Sequence, residues 1–307
     1  MTPLVIVAFL VVGLSTAASA GVDEGRVAYL RGDFATAFRE FTGPAQQGNA
    51  EAQFRLGLMY QKGEGARQSY PDALRLFKAA AAQNYALAQN ALGLIYATGQ
   101  GVPKAEYEAV HWFRLAAEKG NAAAQVNLAH AYNHGLGVTE DNAEALTWYR
   151  RAAQQGHARA EYFVGYFYAN GRGTWRNDTE AVKWFRRAAD QGEVNAQAAL
   201  AAHLERGRGV EKNEDQALRW FIRAAQQGSG DAQYRLGLKY ERGEGLPVDG
   251  FQAYVYLALA AINPRPPLQG REAAAAARDR VSGTLALLEL QRAANLVRAW
   301  KPTPEKL

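Results

Sequence analysis

The sequence predicts an all-α protein built from stacked antiparallel helix pairs. Three observations carry this reading: a strict internal period, an apolar stripe at helical spacing in each half of the period, and a glycine pair between the halves. Small residues recur at Gly57, Gly93, Ala129, Gly165, Ala201 and Gly237, each 36 positions after the last. An aromatic follows three places on at Tyr60, Tyr96, Tyr132, Tyr168 and Tyr240, with Leu204 in the fifth copy. Repetition at such a period marks an array of units that bury their apolar faces against one another.

The first half of each unit is a helix. Ala52, Leu56 and Tyr60 stand at i, i+4 and i+8, on one stripe. The small residue at 57 and its equivalents leaves room for close approach of a neighbouring helix. A Gly-x-Gly pair then follows in every copy, from Gly63 and Gly65 to Gly243 and Gly245. The first glycine suits the left-handed position past the last turn, and the second permits the reversal.

The second half is another helix. Ala145, Trp148, Tyr149 and Ala152 fall at i, i+3, i+4 and i+7, again one apolar face. Leu76, Trp112, Trp148, Trp184, Trp220 and Tyr256 share one position in the period, and an alanine pair such as Ala116-Ala117 follows in each copy. Tryptophans that recur once per unit, and that Leu or Tyr can replace, read as core rather than as a sugar-stacking ladder. Gly120, Gly156, Gly192 and Gly228 end these helices, with Asn84 in the same role.

Residues 88–120, AQNALGLIYATGQGVPKAEYEAVHWFRLAAEKG, carry the pattern nearly throughout. This repeat resembles the Sel1-like repeat, over about residues 25 to 264. The resemblance implies a relative of the tetratricopeptide fold: antiparallel helix pairs in a right-handed superhelical solenoid, with first helices lining a concave inner face. The expected organisation is a signal segment over 1–20, an incomplete unit or cap over 21–48, six repeats over 49–264, and capping helices with a tail over 265–307. Two helices are expected near 270–282 and 284–300, the second offering Leu285, Leu288, Ala293, Leu296 and Trp300 for burial.

Residues 4–14 (LVIVAFLVVGL) form a short apolar core before STAASA. Small residues at the end of such a core read as a secretory signal with cleavage after Ala20. Met1-Thr2-Pro3 lacks the usual basic residue, so an uncleaved anchor is the alternative. The mature chain is expected in the periplasm or outside the cell.

There are no cysteines, which excludes disulfides, thiolate zinc sites and a cysteine nucleophile. The net charge of +5 arises from 35 basic and 30 acidic residues interleaved along the chain. No basic run suits a nucleic-acid arm, so no nucleic-acid partner is expected, nor any membrane insertion after signal cleavage. H-E-x-x-H, G-x-S-x-G, S-x-x-K and dinucleotide fingerprints are absent. No catalytic residue, metal or cofactor is therefore assigned. His130 and His134 stand four apart on a first helix, where both could face one metal; His134 shares its position with Lys62, Thr98, Asn170, Arg206 and Arg242. That is a polar helix C-terminus, and the pair reads as surface or groove.

Function is then expected at positions that vary between units on the inner stripe, those equivalent to Glu51, Phe54, Leu58, Gln61 and Lys62. The candidates for contact with a partner protein or peptide are Asn90, Leu94, His130, Asn133, His134, Tyr162, Tyr166, Asn170, Tyr234 and Arg242. Tyrosine supplies area with few rotors to freeze, and asparagine can bond an extended backbone. The resemblance implies a non-catalytic adaptor of the bacterial envelope, in signalling, exopolysaccharide control, assembly or host interaction. The alternative is an envelope enzyme or a binder of peptidoglycan or β-lactams.

Overall fold

The computed structural model describes residues 21–263 and 268–303, and among these every regular element is a helix. The expected signal segment lies outside the described residues. The chain divides into two compact units whose boundary, between Ala152 and Ala153, falls inside a helix.

The first unit holds α1 (residues 21–30), α2 (Phe34–Gln46), α3 (Ala50–Lys62), α4 (Tyr70–Ala82), α5 (Ala86–Thr98), α6 (Glu106–Glu118), α7 (Ala122–His134) and α8 (Asn142–Gln154). The second holds α9 (Ala158–Asn170), α10 (Asp178–Asp190), α11 (Val194–Arg206), α12 (Glu214–Gln226), α13 (Gly230–Arg242), α14 (Gly250–Ile262), α15 (Leu268–Ser282) and α16 (Leu287–Ala299). From α2 to α7 and from α9 to α15, helices adjacent in sequence pack side by side, as short connections demand.

The small residue of each first helix works as expected. A methyl group at Gly93 would lie 2.4 Å from the Phe113 ring, and one at Gly165 would lie 2.7 Å from Phe185. These aromatics stand one residue after the tryptophan position, and here the sequence reading needs refinement. The deepest side chains of the second helices are Phe77, Tyr149 and Phe221, all fully buried. Trp112, Trp184 and Trp220 are only half-buried. Trp148, Trp184 and Trp220 are roofed by Arg151, Arg187 and Arg223, whose guanidinium carbons lie 4.2, 4.6 and 4.8 Å from the ring centres. The arginine one turn on thus covers the indole with a cation and an aliphatic stem.

Both glycines of each pair sit in the left-handed region. The first closes its helix; Gly63 N–H, for instance, donates to the Met59 carbonyl at 2.9 Å. At Gly101, Gly137 and Gly209 the second rests on the start of the preceding repeat's second helix. A methyl at Gly137 would lie 2.4 Å from the Glu106 carbonyl, and one at Gly209 would lie 2.2 Å from the carbonyl carbon of Asp178. A recurrent loop bond completes the hairpin: the N–H of Ser69, Ala105, Asn177, Asn213 and Asp249 donates to the carbonyl of Tyr60, Tyr96, Tyr168, Leu204 and Tyr240.

A glutamine ladder ties five of the first helices to the second helix before them. The side-chain amides of Gln53, Gln89 and Gln125 donate to the carbonyls of Ala45, Ala81 and Ala117, and those of Gln197 and Gln233 to Ala189 and Ala225. These glutamines are buried, so each bond also satisfies an amide and a carbonyl that water cannot reach.

At the C-terminal end, α15 packs on α14 through Ala277 and Val281 against Ala253 and Leu257. α16 packs on the same helix through Ala293, with Val297 and Trp300 beside Val255 and Leu259. Beyond it, Thr303 N–H donates to the Gln226 carbonyl at 2.9 Å. The expected burial along α16 is corrected in part: Leu288 is 67 % exposed and Leu296 lies on the same outward stripe. One contact line through Ala293 suffices to seat the helix, which leaves the face of residues 288, 292 and 296 outside.

Candidate functional site

The candidate positions sort by how far the helix packing covers them. In the first unit, α5, α6 and α7 enclose a cavity of about 200 Å³. Leu94 and Ala97 of α5 and His130 and Ala131 of α7 form its walls; Val110 and Phe113 of α6 form its floor, and Leu136 of the following loop closes one side. Leu94 is 43 % exposed although it is apolar, and His130 is exposed beside it. Polar groups ring the opening: Lys104 Nζ pairs with Glu106 Oε1 at 2.6 Å, and Asn127 Nδ2 donates to Asn90 Oδ1 at 2.9 Å.

Two of the predicted residues, Leu94 and His130, therefore line one apolar pit, with Asn90 holding Asn127 at its rim. Their neighbours were not singled out from the sequence. The signal available was Leu136, an apolar residue inside a Gly-x-Gly pair where the other copies carry Glu64, Gln100, Arg172, Arg208 and Glu244. The repeat that supplies α5 and α6 also starts both helices without a side-chain cap, at Tyr85 and Ala105. Tyr85 packs against Phe54, with ring centres 5.5 Å apart.

His130 and His134 lie ring to ring, with centres 4.4 Å apart. Asn133 Nδ2 meets His134 Nε2 at 2.9 Å. Among the described residues, no three His, Asp or Glu side chains come together around a common point where a metal could sit. Asn133 itself is buried, against the expectation that it faces a ligand. Its position holds Ala97 and Ala169 in the neighbouring repeats and Gln61, Glu205 and Glu241 in the others.

In the second unit, Tyr162, Tyr166 and Asn170 follow one another along α9. Tyr162 is largely inside: its ring centre lies 6.0 Å from Phe185 and 6.4 Å from Tyr166. Burial, and then the carboxylate of Glu193, push its phenol up to about 12. The equivalent residues Val126 and Ala198 are buried too, so this position serves helix packing. Tyr166 is half-buried, while Asn170 is exposed and returns its amide to the Tyr166 carbonyl at 2.8 Å. Tyr234 packs under the C-terminal helices with Ala253 and Ala277. Arg242 is exposed and faces Glu244 at 3.5 Å.

The second unit also varies the glutamine ladder. Glu161 stands at the ladder position and is 1 % exposed. Arg187 Nη2 lies 2.6 Å from its Oε1, and Gln191 Nε2 donates to its Oε2 at 2.6 Å. A second departure is His203, which occupies a core position held by Met59, Ile95 and Phe167 in other copies. Burial holds its imidazole below the usual histidine range. Its Nε2 is buried without a hydrogen-bond partner, 4.0 Å from Asp178 Oδ1.

Among the described residues, no helix is long and apolar enough to cross a membrane. No curated protein matches the chain. Among solved structures, a Sel1 repeat protein from Oxalobacter formigenes is 32 % identical with a TM-score of 0.74, and the match covers 80 % of this chain and 99 % of that one. A protective antigen present in uropathogenic Escherichia coli strains, displaying an SLR fold, is 30 % identical with a TM-score of 0.73, covering 96 % of this chain and 68 % of that one. The Sel1 repeat model matches residues 50–85, 86–121, 122–157, 158–193, 194–229 and 230–263, the period read from the sequence. With six consecutive copies of that repeat and relatives of the same fold, the chain belongs to the Sel1 repeat family.

Proposed function

We propose that this chain is a non-catalytic scaffold that binds a partner protein of the cell envelope through the face of its first helices. Sel1 repeat proteins generally mediate protein–protein interaction. One observation carries the reading for this chain: the cavity between α5, α6 and α7, apolar inside and polar at its rim. An apolar pit with a few placed polar groups is the usual form of a site that takes a side chain from a partner. Leu94, Val110 and Phe113 would hold an apolar side chain, while Asn127 and His130 meet the polar backbone on either side of it.

Export rests on the apolar segment at 4–14 and the small residues before Gly21. It places the scaffold in the periplasm or outside the cell, with Ala20 as the last residue removed.

The test uses the mature chain carrying a photo-cross-linking phenylalanine analogue in place of Leu94, irradiated in its own envelope extract. An adduct of defined mass is expected. Leu94→Asp, with a charge placed in the pit, is expected to weaken binding of the identified partner at least tenfold. Equal retention of that partner by Leu94→Asp and wild type would overturn the reading.

A further inference from the structure

The loop between α9 and α10 presents a tryptophan to solvent. Trp175 is 92 % exposed, at a loop position where other copies carry Arg67, Pro103, Thr139, Glu211 and Pro247. Nothing in helix packing calls for an indole there. Its surroundings are cationic. Arg176 follows it directly, and Arg172 precedes it in the same loop. The loop folds back on itself, since a methyl on Gly171 would lie 3.3 Å from the Arg176 nitrogen.

The next loop brings more positive charge to the same place. Gly209 rests on the Asp178 backbone, and Arg208 Nε lies 3.7 Å from Asp178 Oδ2. Arg176 Nη2 holds the same carboxylate at 2.6 Å. One carboxylate thus faces two guanidinium groups. Arg206 is exposed, and Arg172 is half-buried with its guanidinium carbon 5.8 Å from the Phe167 ring centre; neither has an ion pair among the described residues. The position inside the glycine pair is Arg only here, at 172 and 208; it is Glu64 and Glu244 in the outermost repeats.

We propose that Trp175, with Arg172, Arg176, Arg206 and Arg208, is a docking surface for an acidic linear segment of a partner protein. Guanidinium forks bind carboxylates bidentately. The exposed indole face takes the apolar or proline side chain between them, at low entropic cost. An anionic membrane fits less well, because Glu211 in the following loop would be pressed against like charge, with Glu214 at the start of α12 already holding Lys212 at 2.6 Å. A thin acidic segment can cross the arginines without meeting them. This surface is separate from the α5–α7 cavity, so the two readings stand or fall independently.

The experiment is a titration of the mature chain with the blocked hexapeptide Glu-Glu-Pro-Leu-Glu-Glu. The indole is read as the difference between wild type and Trp175→Phe, in emission wavelength and in quenching by acrylamide. A blue shift and at least a threefold loss of quenching are expected at saturation. Binding should weaken at least tenfold with Arg172→Ala/Arg206→Ala, whose side chains hold no structural ion pair. Arg172→Lys/Arg206→Lys should retain more than the alanine pair, and the Gln-Gln-Pro-Leu-Gln-Gln peptide should not bind. The proposal is overturned if the indole stays equally quenchable at saturating peptide, or if the alanine pair binds within twofold of wild type. It is also overturned if Trp175 shifts with phosphatidylglycerol vesicles and not with the acidic peptide.

Discussion

The guanidinium of Arg187 closes on the buried carboxylate of Glu161 at 2.6 Å and reaches the Ala153 carbonyl at 3.5 Å. In the other copies a glutamine amide meets that carbonyl directly. Here the acid cannot donate, and an arginine from the following helix supplies both the proton donor and the counter-charge. Arg187→Ala is therefore expected to cost about 2–3 kcal/mol, because it strips a buried carboxylate of its cation. Glu161→Gln in the same background restores a neutral donor and should recover most of the loss. Urea unfolding of the two single variants and the double variant checks this. Additive losses in the double variant would refute the exchange.

Gly209 and Gly245 have the same backbone but different surroundings. Their φ values are +69° and +73°, and a methyl at 209 would collide with the Asp178 backbone, whereas one at 245 meets nothing within 4 Å. Gly245→Ala should cost only the left-handed strain, about 1 kcal/mol. Gly209→Ala adds a backbone collision and should cost about 2–4 kcal/mol. Thermal unfolding of the pair separates strain from contact; equal losses would show that the contact is soft.

Ala105 can be improved. Its φ and ψ of −144° and 92° nearly equal those of Asn177, −147° and 93°, whose side chain accepts the Glu180 N–H. Ala105→Asn should therefore stabilise the chain by about 1 kcal/mol by satisfying one orphan donor at the start of α6. An unchanged urea midpoint would mean that this end is already satisfied.

His203 makes stability depend on pH in a definite direction. Burial lowers its pKa most; Asp178 opposes this, while Arg208, Arg206 and Arg176 add to the lowering. The unfolded side chain titrates near the ordinary 6.5. Between that value and the lower native one, the unfolded chain binds a proton that the native chain refuses. The neutral imidazole's contribution is thus complete above 6.5 and declines as pH falls toward the native value. His203→Phe, the residue at the equivalent position 167, should remove this part of the slope between pH 8 and 5.5. Parallel stability curves for the variant and wild type would reject the assignment.

The period, the hairpin, the glycine pairs and the close approach at Gly93 could all be read from residue spacing, because each rests on a local backbone rule repeated six times. What escaped depends on which neighbour covers a face. Spacing placed Trp184 and Phe185 on one apolar side, but only the neighbours that meet them decide that Phe185 is buried against Gly165, Tyr162 and His203 while Trp184 is roofed by arginine. Asn133 looked like a groove residue for the same reason, since helical phase locates a stripe without showing how tightly the stripe closes. The ladder glutamines were visible as recurrent residues, yet their partners lie eight positions back on a different helix, as with Gln125 and Ala117.

Because second glycines such as Gly101, Gly137 and Gly209 rest on the repeat before them and the ladder glutamines reach backward too, these joints are made of one piece from each of two consecutive repeats. A segment inserted into such an array finds complementary surfaces at both ends only if it is one whole period long. Lengthening by half a period would present a residue from the start of a second helix, such as Pro71 or Tyr107, where an amide is needed. The array can grow or shrink in whole steps, and its reach is adjustable without redesign of any single joint.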